Sequence, residues 1–279
     1  MFSRRLLGKI YGHWSNAPLA DKAWVEITSA LLALINWPTR VSYDSSRKMF
    51  RVLQGETEIF VARRSRVARV LWSLDARLEE LFNGYGLHKV RNLAGAIVLD
   101  VGANIGEVSL LFRVLGARTV HSFEPDPAEF ECLLANVGSG IHPHQSALWN
   151  ESGSATLFRA NATGDSSLLS PGNSEGLTTV STITLDHWAT ENLGEDAIVD
   201  LLKLEAEGAE PEILEGGVEL LKRVRYVTAD VGFERPGDGG VDSTLPAVTN
   251  FLTARGFSVV WVGSPRLVVV YRNEVLAAE

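Results

Sequence analysis

Acidic residues end four of the strands that the sequence predicts from residue 95 onward. They are Asp100, Glu124, the pair Glu205 and Glu207, and Asp230. The carboxyl ends of parallel strands lie at one edge of a sheet, where open α/β sheets bind their ligands. We therefore expect these carboxylates to converge on one crevice.

A glycine turn follows the first of these strands in the stretch VLDVGANIGE, residues 98–107. A dinucleotide fingerprint needs G-x-G-x-x-G, but only its first glycine, Gly102, is present, and Asn104 stands at the second. A phosphate-binding loop is excluded because no lysine follows Gly106. The turn instead suits a ligand with a nucleoside and a cationic amino-acid end. Asp100 can accept from its ammonium group, and the glycines leave room for it.

Glu124 lies 124 − 102 = 22 residues after Gly102. In such folds an acid at this distance reaches the hydroxyl groups of a ribose. The alternative for both Asp100 and Glu124 is that they only fix turns.

Glu205 and Glu207 lie two residues apart at the end of a predicted strand, so they share one face. Two carboxylates near a pocket of low dielectric raise one another's proton affinity, and one of them can then accept a hydroxyl proton near neutral pH. The alternative is that they cap the helix that begins near Pro211.

Short apolar runs alternate with helical patterns from Gly95 onward, which predicts a parallel sheet covered by helices. The runs are AIVLDV, TVHSFEP, IHPHQSALW, IVDLLKLEAEG and VRYVTADVGF, followed by FSVVWVG and RLVVVYR as a closing antiparallel hairpin. Asp126 and Pro127 predict the start of a helix. The segment 159–179 is rich in Gly, Ser, Asn and Thr and predicts a long loop.

The first 94 residues form a predicted cap, and residues 95–279 form the main domain. Residues 50–63 predict a hairpin around Gln54-Gly55-Glu56, and apolar residues from Val67 to Phe82 predict one amphipathic helix. The apolar stretch 30–37 is shorter than the roughly 20 residues that cross a bilayer. It predicts a packed helix face, with peripheral membrane contact as the alternative.

The composition indicates an ordinary globular protein, with 46% hydrophobic and 22% charged residues. The formal net charge of −8 disfavours nucleic acid as a partner and favours a small ligand. The single cysteine, Cys132, excludes an intrachain disulfide and predicts a reducing, cytoplasmic location.

Three further groups have a functional and a plainer interpretation. His142 and His144 lack a third ligand at recognisable spacing, so a solvated strand edge is favoured and no metal site is predicted. Arg63, Arg64, Arg66 and Arg69 form the wet face of a helix, or they meet an anionic substrate or lipid head group. GDSSLL, residues 164–169, is a serine-rich turn or part of a lid over the ligand.

Three segments together resemble the FkbM family of S-adenosylmethionine-dependent methyltransferases: VLDVGANIGEVSLLF, FEPDPAEFECLLAN and LLKLEAEGAEPEILEGG, in that order. The resemblance spans roughly residues 98–221. It implies a doubly wound, mostly parallel, seven-stranded Rossmann-like sheet with a helical N-terminal cap.

The resemblance also implies where the cofactor S-adenosylmethionine binds. The residues concerned are Asp100, Gly102, Ala103, Asn104, Gly106, Glu124, Pro125, Ser146 and Ala147. Glu205 and Glu207 are the implied catalytic residues, although the family commonly has aspartate at the position of Glu205.

The resemblance predicts methyl transfer to a hydroxyl group of a sugar, a glycolipid or a polyketide-like metabolite. A cofactor-binding module without methyltransferase activity is the alternative. An NAD-dependent oxidoreductase is disfavoured by the missing glycines. The oligomeric state is not predicted.

Overall fold

The computed structural model of the 279-residue chain describes residues 14–15, 17–71, 73–159, 166–169, 176–237 and 240–277. Its front part contains α1 (Asp21–Leu34), β1 (Thr39–Asp44), β2 (Met49–Gln54), β3 (Thr57–Val61), α2 (Arg64–Val70), α3 (Leu74–Gly84) and a 3₁₀ helix (Leu87–Lys89). The three strands form an antiparallel sheet in the order β1-β2-β3. The hairpin predicted around Gly55 is therefore confirmed, with β1 as an additional strand.

The single helix predicted between Val67 and Phe82 is wrong, because the chain breaks it into α2 and α3. Three side chains donate to the carbonyl oxygen of Leu71, each at 2.9 Å: those of Trp37, Thr39 and Gln54. Ser73 then has an extended backbone and its hydroxyl group accepts from the N–H of Ala76, which starts α3. The helix α2 therefore ends because side chains bind the Leu71 carbonyl group and because Ser73 caps the start of α3.

The end of α1 is not the packed face that the sequence predicts. Trp24 and Val25 pack in the core of the front part, but Leu31, Leu34 and Ile35 are exposed. The helices of the described ranges include none that is both long and apolar enough to cross a membrane.

The remaining elements are β4 (Ile97–Val101), α4 (Glu107–Val114), β5 (Thr119–Phe123), α5 (Pro127–Asn136), β6 (Ile141–His144), β7 (Ala147–Leu148), β8 (Gly153–Arg159), β9 (Gly176–Ile183), α6 (Leu185–Asn192), β10 (Val199–Leu204), α7 (Glu210–Glu215), α8 (Val218–Leu221), β11 (Val224–Asp230), β12 (Phe233–Gly237), β13 (Gly240–Ser243), α9 (Leu245–Thr253), β14 (Phe257–Val262), β15 (Val268–Asn273) and α10 (Glu274–Ala277).

Seven of these strands form the central sheet in the order β14-β15-β11-β10-β4-β5-β6. Five are parallel, and β15 joins β11 antiparallel, with β14 as its hairpin partner. Val98 and Leu99 of β4 are both fully buried and lie in different hydrophobic clusters, one on each face. The predicted doubly wound, mostly parallel fold with a closing hairpin is confirmed.

The third predicted strand is divided between two sheets. β6 lies at the edge of the central sheet, where the missing backbone N–H of Pro143 costs no hydrogen bond to a neighbouring strand. In contrast, β7 pairs with β9 in a small sheet of order β7-β9-β8. The chain leaves the central sheet between them, at Gln145 and Ser146. β8 and β9 also occupy both ends of the predicted loop 159–179, so the loop is shorter than predicted.

Candidate active site

One cavity lies at the carboxyl ends of the parallel strands, with an empty volume of about 990 Å³, its mouth included. Nine of the predicted site residues line it: Gly102, Ala103, Asn104, Glu124, Pro125, Ser146, Ala147, Glu205 and Glu207. Asp100 and Gly106 lie behind its wall. Six carboxylates and four guanidinium groups border the space, together with Phe123, Leu148 and Leu157. Such a wall suits a cationic ligand with a flat apolar part.

Glu124 lies where β5 ends, and both of its carboxylate oxygens accept from the backbone. Asn104 N–H donates to Oε2 and Asp126 N–H to Oε1, each at 2.8 Å. The side chain is only 6% exposed, and burial raises its pKa to about 8. Each oxygen retains a lone pair for a further donor. The two backbone donors hold this carboxylate in one orientation towards the cavity.

The glycine turn is shaped by packing within the protein. Gly102 has φ +70°, and a Cβ atom there would lie 1.8 Å from the carbonyl oxygen of Glu205. At Gly106, with φ +92°, a Cβ atom would lie 2.7 Å from Leu133. The expectation that these glycines make room for a ligand therefore gives only part of the reason for them, because close packing within the protein also requires glycine at both positions. Asn104 between them also has a positive φ of 51°, and its side chain accepts from the N–H of Ile105.

Lys203 connects two of the predicted acids from inside the sheet. Its ammonium group is fully buried and lies 3.0 Å from Asp100 and 3.2 Å from Glu205. It also donates to the carbonyl oxygens of Val101 at 3.0 Å and Gly102 at 2.8 Å. Asp100 further accepts from the Ser109 hydroxyl group at 2.6 Å. The Asp100 carboxylate therefore faces a cation of the protein itself and anchors the turn.

Glu205 is surrounded by positive charge. Its carboxylate pairs with Lys203 and with Arg266 from the β14–β15 turn, and it accepts from the buried Tyr85 hydroxyl group. Burial alone would raise the pKa of Glu205, but the two cations and Tyr85 outweigh it and hold that pKa far below its usual range. Arg266 also pairs with Asp230, which therefore joins the site indirectly. A carboxylate of this kind is a weak proton acceptor at neutral pH.

Glu207 occupies a strained position at the mouth of the β10–α7 loop. Its φ is +52°, in the left-handed region, and its carbonyl oxygen accepts from the Ser167 hydroxyl group at 2.9 Å. The next residue, Gly208, has φ +94°, and a Cβ atom there would lie 2.9 Å from Arg235. Strain of this kind is concentrated at functional sites. Of the segment GDSSLL, residues 164 and 165 lie outside the described residues, and Ser166 lines the cavity.

The arginine cluster does not form one wet helix face, which was one of its two interpretations, because Arg63, Arg64 and Arg66 are at least partly buried and Arg69 is exposed. Arg63 pairs with Asp126 and Glu129, each at 3.1 Å, and Arg64 pairs with Asp21. Arg66 is 6% exposed and lines the cavity with Arg69. The predicted N-cap of α5 is confirmed, because Asp126 accepts from the N–H of Ala128 at 2.9 Å.

The histidines of β6 differ from one another. His142 is exposed, as a solvated strand edge requires, but the His144 ring stacks on Phe123 at a centroid distance of 4.8 Å. Burial lowers the pKa of His144 to about 4. Within the part of the chain that the structure describes, no three His, Cys, Asp or Glu side chains are arranged to hold a metal ion.

Sequence reasoning missed four side chains of the site: Tyr85, Arg77, Lys203 and Arg266. Lys203 left one signal, because it lies among the buried leucines of β10 near the end of that strand. A lysine in a buried strand requires an acidic partner. Tyr85 lies 120 residues from Glu205, and Arg266 lies 61 residues from it, so no local pattern connects them.

Comparison with known proteins gives related sequences. The family model described as methyltransferase FkbM domain matches residues 100–259. The 2-O-methyltransferase NoeI of Sinorhizobium fredii (strain NBRC 101917 / NGR234) is 27% identical, over 47% of this chain and 61% of that protein. The 31-O-demethyl-FK506 methyltransferase FkbM of Streptomyces tacrolimicus is 30% identical, over 63% of this chain and 78% of that protein. The chain thus spans less than two thirds of the length of NoeI.

Among solved structures, the ribosomal protein L11 methylase of Lactobacillus delbrueckii subsp. bulgaricus is 15% identical. The TM-score is 0.38, with 71% of this chain and 77% of that chain covered. The fold assignment therefore rests on the strand order described above.

Proposed function

Because the chain belongs to the FkbM family of methyltransferases, we propose that it transfers a methyl group from S-adenosylmethionine to a hydroxyl oxygen of a small-molecule or glycan acceptor. The names of both relatives specify transfer to oxygen. A sugar, a glycolipid or a polyketide-like metabolite is the proposed acceptor class, and a cytoplasmic location remains a prediction.

The observation that carries this proposal is the fixed carboxylate of Glu124 at the end of β5. Two hydroxyl groups of a ribose can donate to the outward lone pairs of its two oxygens. Ser146, Ala147 and Leu148 then border the adenine, and Gly102 and Ala103 border the amino-acid end. The surplus of carboxylates in the wall matches the positive charge of the cofactor.

When bound, S-adenosylmethionine supplies an electrophilic methyl group on a positively charged sulfur. The acceptor oxygen forms the new bond to carbon while the bond from carbon to sulfur breaks, and the hydroxyl proton must leave. Tyr85, Glu205, Glu207 and Arg266 surround the end of the cavity where we place the acceptor. Their main contribution is to hold the oxygen in line, since orientation supplies most of the acceleration in such a transfer.

We further propose that Glu207 accepts the proton and that Glu205 keeps Arg266 and Tyr85 in place. Glu207→Gln is expected to lower kcat about a hundredfold or more while cofactor affinity is retained. Glu205→Gln is expected to lower thermal stability as well as kcat, because Lys203 and Arg266 lose a shared counter-ion. Melting temperatures and initial rates distinguish the two roles, and full turnover of Glu207→Gln contradicts the assignment.

The cap and the main domain are proposed to be residues 1–94 and 95–279. Arg66, Arg69, Arg77 and Tyr85 of the first segment line the cavity. The cap and the segment 166–169 are therefore the parts proposed to select the acceptor.

Calorimetric titration tests the cofactor. S-adenosylmethionine and S-adenosylhomocysteine are expected to bind one molecule per chain, and NAD is expected to give no heat. Heat with NAD alone contradicts the proposal.

Cofactor affinity is also expected to rise with pH towards a plateau above about pH 8. Burial raises the pKa of Glu124 to about 8, and two hydroxyl donors favour its ionised form. Below that pH, binding must release a proton, so affinity falls by up to about tenfold per pH unit. The measurement is the dissociation constant of S-adenosylhomocysteine between pH 6 and 9.

Glu124→Gln is the control for this pH dependence. It removes the titrating group, so its weaker binding should no longer vary with pH. The control matters because burial also raises the pKa of Glu234 to about 8, and Glu234 does not line the cavity. A wild-type affinity that is constant from pH 6 to 9 contradicts the role of Glu124.

A further inference from the structure

The helix α1 exposes an apolar outer side, which consists of Ile27, Leu31 and Leu34. These residues follow one another at spacings of four and three, so they lie along one side of the helix. They are 40%, 51% and 79% exposed, and Ile35, directly after the helix, is 61% exposed. The core contacts of α1 are made by another side, which carries Trp24. A helix at the surface of a globular protein normally turns polar residues outward, so this outer side is unusual.

The exposed apolar side chains of α1 form one group. Four of the eleven large apolar residues that are exposed in the described part of the chain lie between Ile27 and Ile35, and the other seven are spread over the main domain. The stretch 27–39 contains no charged residue, and three small residues in it are also exposed: Ala30, Ala33 and Pro38. A contiguous patch of this kind indicates contact with another protein or with a membrane.

The charge of the chain distinguishes between these partners, because it is divided unequally. The proposed cap, residues 1–94, has 15 Lys and Arg residues and 8 Asp and Glu residues, a formal net charge of +7. Residues 95–279 have 11 and 26 of them, a formal net charge of −15. Such asymmetry is typical of proteins that bind nucleic acid or a membrane. Nucleic acid requires cations at the contact itself, whereas a basic segment with an uncharged apolar side suits an anionic lipid surface.

Exposed cations border the uncharged stretch in the sequence. Lys22 lies in the first turn of α1 and Arg40 lies at the start of β1. Both are exposed, and neither pairs with a carboxylate of the described residues. Arg47 and Lys48 add two exposed cations in the turn between β1 and β2, whereas Glu26 adds one exposed anion on α1. The cap therefore combines an apolar side with positive charge, and each of these cations is attracted by anionic head groups.

We propose that the outer side of α1 docks the cap on an anionic lipid bilayer, where Ile27, Leu31 and Leu34 enter the boundary between head groups and acyl chains. With 14 residues, α1 is too short to span a bilayer, but it can lie in the plane of this boundary. The same lipid surface repels the negatively charged main domain and so turns it away from the membrane. This inference goes beyond the proposed function, because docking requires neither cofactor nor acceptor.

Co-sedimentation of the full chain with lipid vesicles tests the proposal. One set of vesicles consists of phosphatidylcholine with about one third phosphatidylglycerol, and the other consists of phosphatidylcholine alone. We expect binding to the anionic vesicles to be about tenfold or more tighter than binding to the neutral ones, because several cations of the cap attract the lipid surface. Added sodium chloride should weaken the anionic binding by screening these charges.

Two double variants separate the apolar and the electrostatic contributions. Leu31→Ser with Leu34→Ser is expected to weaken binding to the anionic vesicles about tenfold to a hundredfold, since two leucine side chains no longer leave water on docking. Lys22→Gln with Arg40→Gln is expected to weaken the same binding about tenfold and to leave binding to the neutral vesicles unchanged.

Val114→Ser with Val275→Ser is the matched control for the leucine variant. These valines are 72% and 70% exposed and lie in the main domain, at the end of α4 and in α10. Their replacement should change vesicle binding by less than about twofold. Circular dichroism checks that each variant folds. If the double leucine variant does not fold, Leu34→Ser alone decides the outcome, because Leu34 is the most exposed of the three residues and loses the least packing.

Three results overturn the inference. If the wild-type chain does not bind the anionic vesicles, a lipid surface is not the partner. If the double leucine variant binds them as tightly as the wild type, the outer side of α1 is not the docking side. A dimer in analytical ultracentrifugation that the leucine changes dissociate, together with no vesicle binding, assigns this side to contact with a second copy of the chain.

Discussion

Lys203→Met is expected to lower the free energy of unfolding by about 3–5 kcal/mol, because it leaves the buried Asp100 carboxylate without its cation. The ammonium group is fully buried, as is Asp100, and it also binds two backbone carbonyl groups of the β4 strand end. Methionine fills a similar volume but donates no hydrogen bond. The glycine turn should lose its anchor, so cofactor binding should weaken together with stability.

Urea unfolding followed by circular dichroism measures this effect. Lys222→Met is the control, because Lys222 is exposed and pairs with Glu219 on the surface, where ion pairs contribute little. A second variant, Lys203→Met with Asp100→Asn, should recover part of the loss by removing one stranded charge. If Lys203→Met unfolds at the same urea concentration as wild type, the ion pair does not hold the site together.

Gly102→Ala is expected to be the most damaging substitution in the turn. A left-handed backbone costs a residue with a Cβ atom about 1–2 kcal/mol. The new methyl group would also lie 1.8 Å from the carbonyl oxygen of Glu205, and neither backbone segment can move without disturbing the other. Overpacking adds about 1–3 kcal/mol or more. Cofactor binding should be lost in whatever fraction of the variant folds.

Gly55→Ala separates the two contributions. Gly55 has a similar φ of +59°, but nothing lies within 4 Å of a Cβ atom there. This variant therefore measures the conformational cost alone. The difference in unfolding free energy between the two variants is the cost of the collision. Equal losses at both positions would falsify the close approach of the turn to the β10–α7 loop.

The fold could be predicted because its signals are local. β4, β10 and β11 are largely apolar strands of five to seven residues with an acid at or next to their carboxyl ends, and the closing hairpin surrounds a Gly-Ser-Pro turn. The break between α2 and α3 could not be predicted, because the side chains that capture the Leu71 carbonyl group come from as far as 34 residues away. Apolar periodicity continues across the break and conceals it.

The candidate site, like the fold, could be predicted only in part. Its acids were visible as strand ends, but their charge states were not. Glu205 was interpreted as a possible base since Glu207 is its nearest acidic neighbour in sequence. In three dimensions its neighbours are Lys203 and Arg266, which keep it ionised. Lys203 lies two residues before Glu205 in the sequence, whereas only the β14–β15 turn brings Arg266 to it.

The contact of Tyr85 and Arg266 with Glu205 joins parts of the chain separated by 120 and 61 residues. During synthesis, Tyr85 and Glu205 leave the ribosome well before the hairpin of β14 and β15 that supplies Arg266. The nascent chain can therefore assemble the strands of the proposed nucleoside site early, whereas the proposed acceptor end of the pocket is completed only when that hairpin docks.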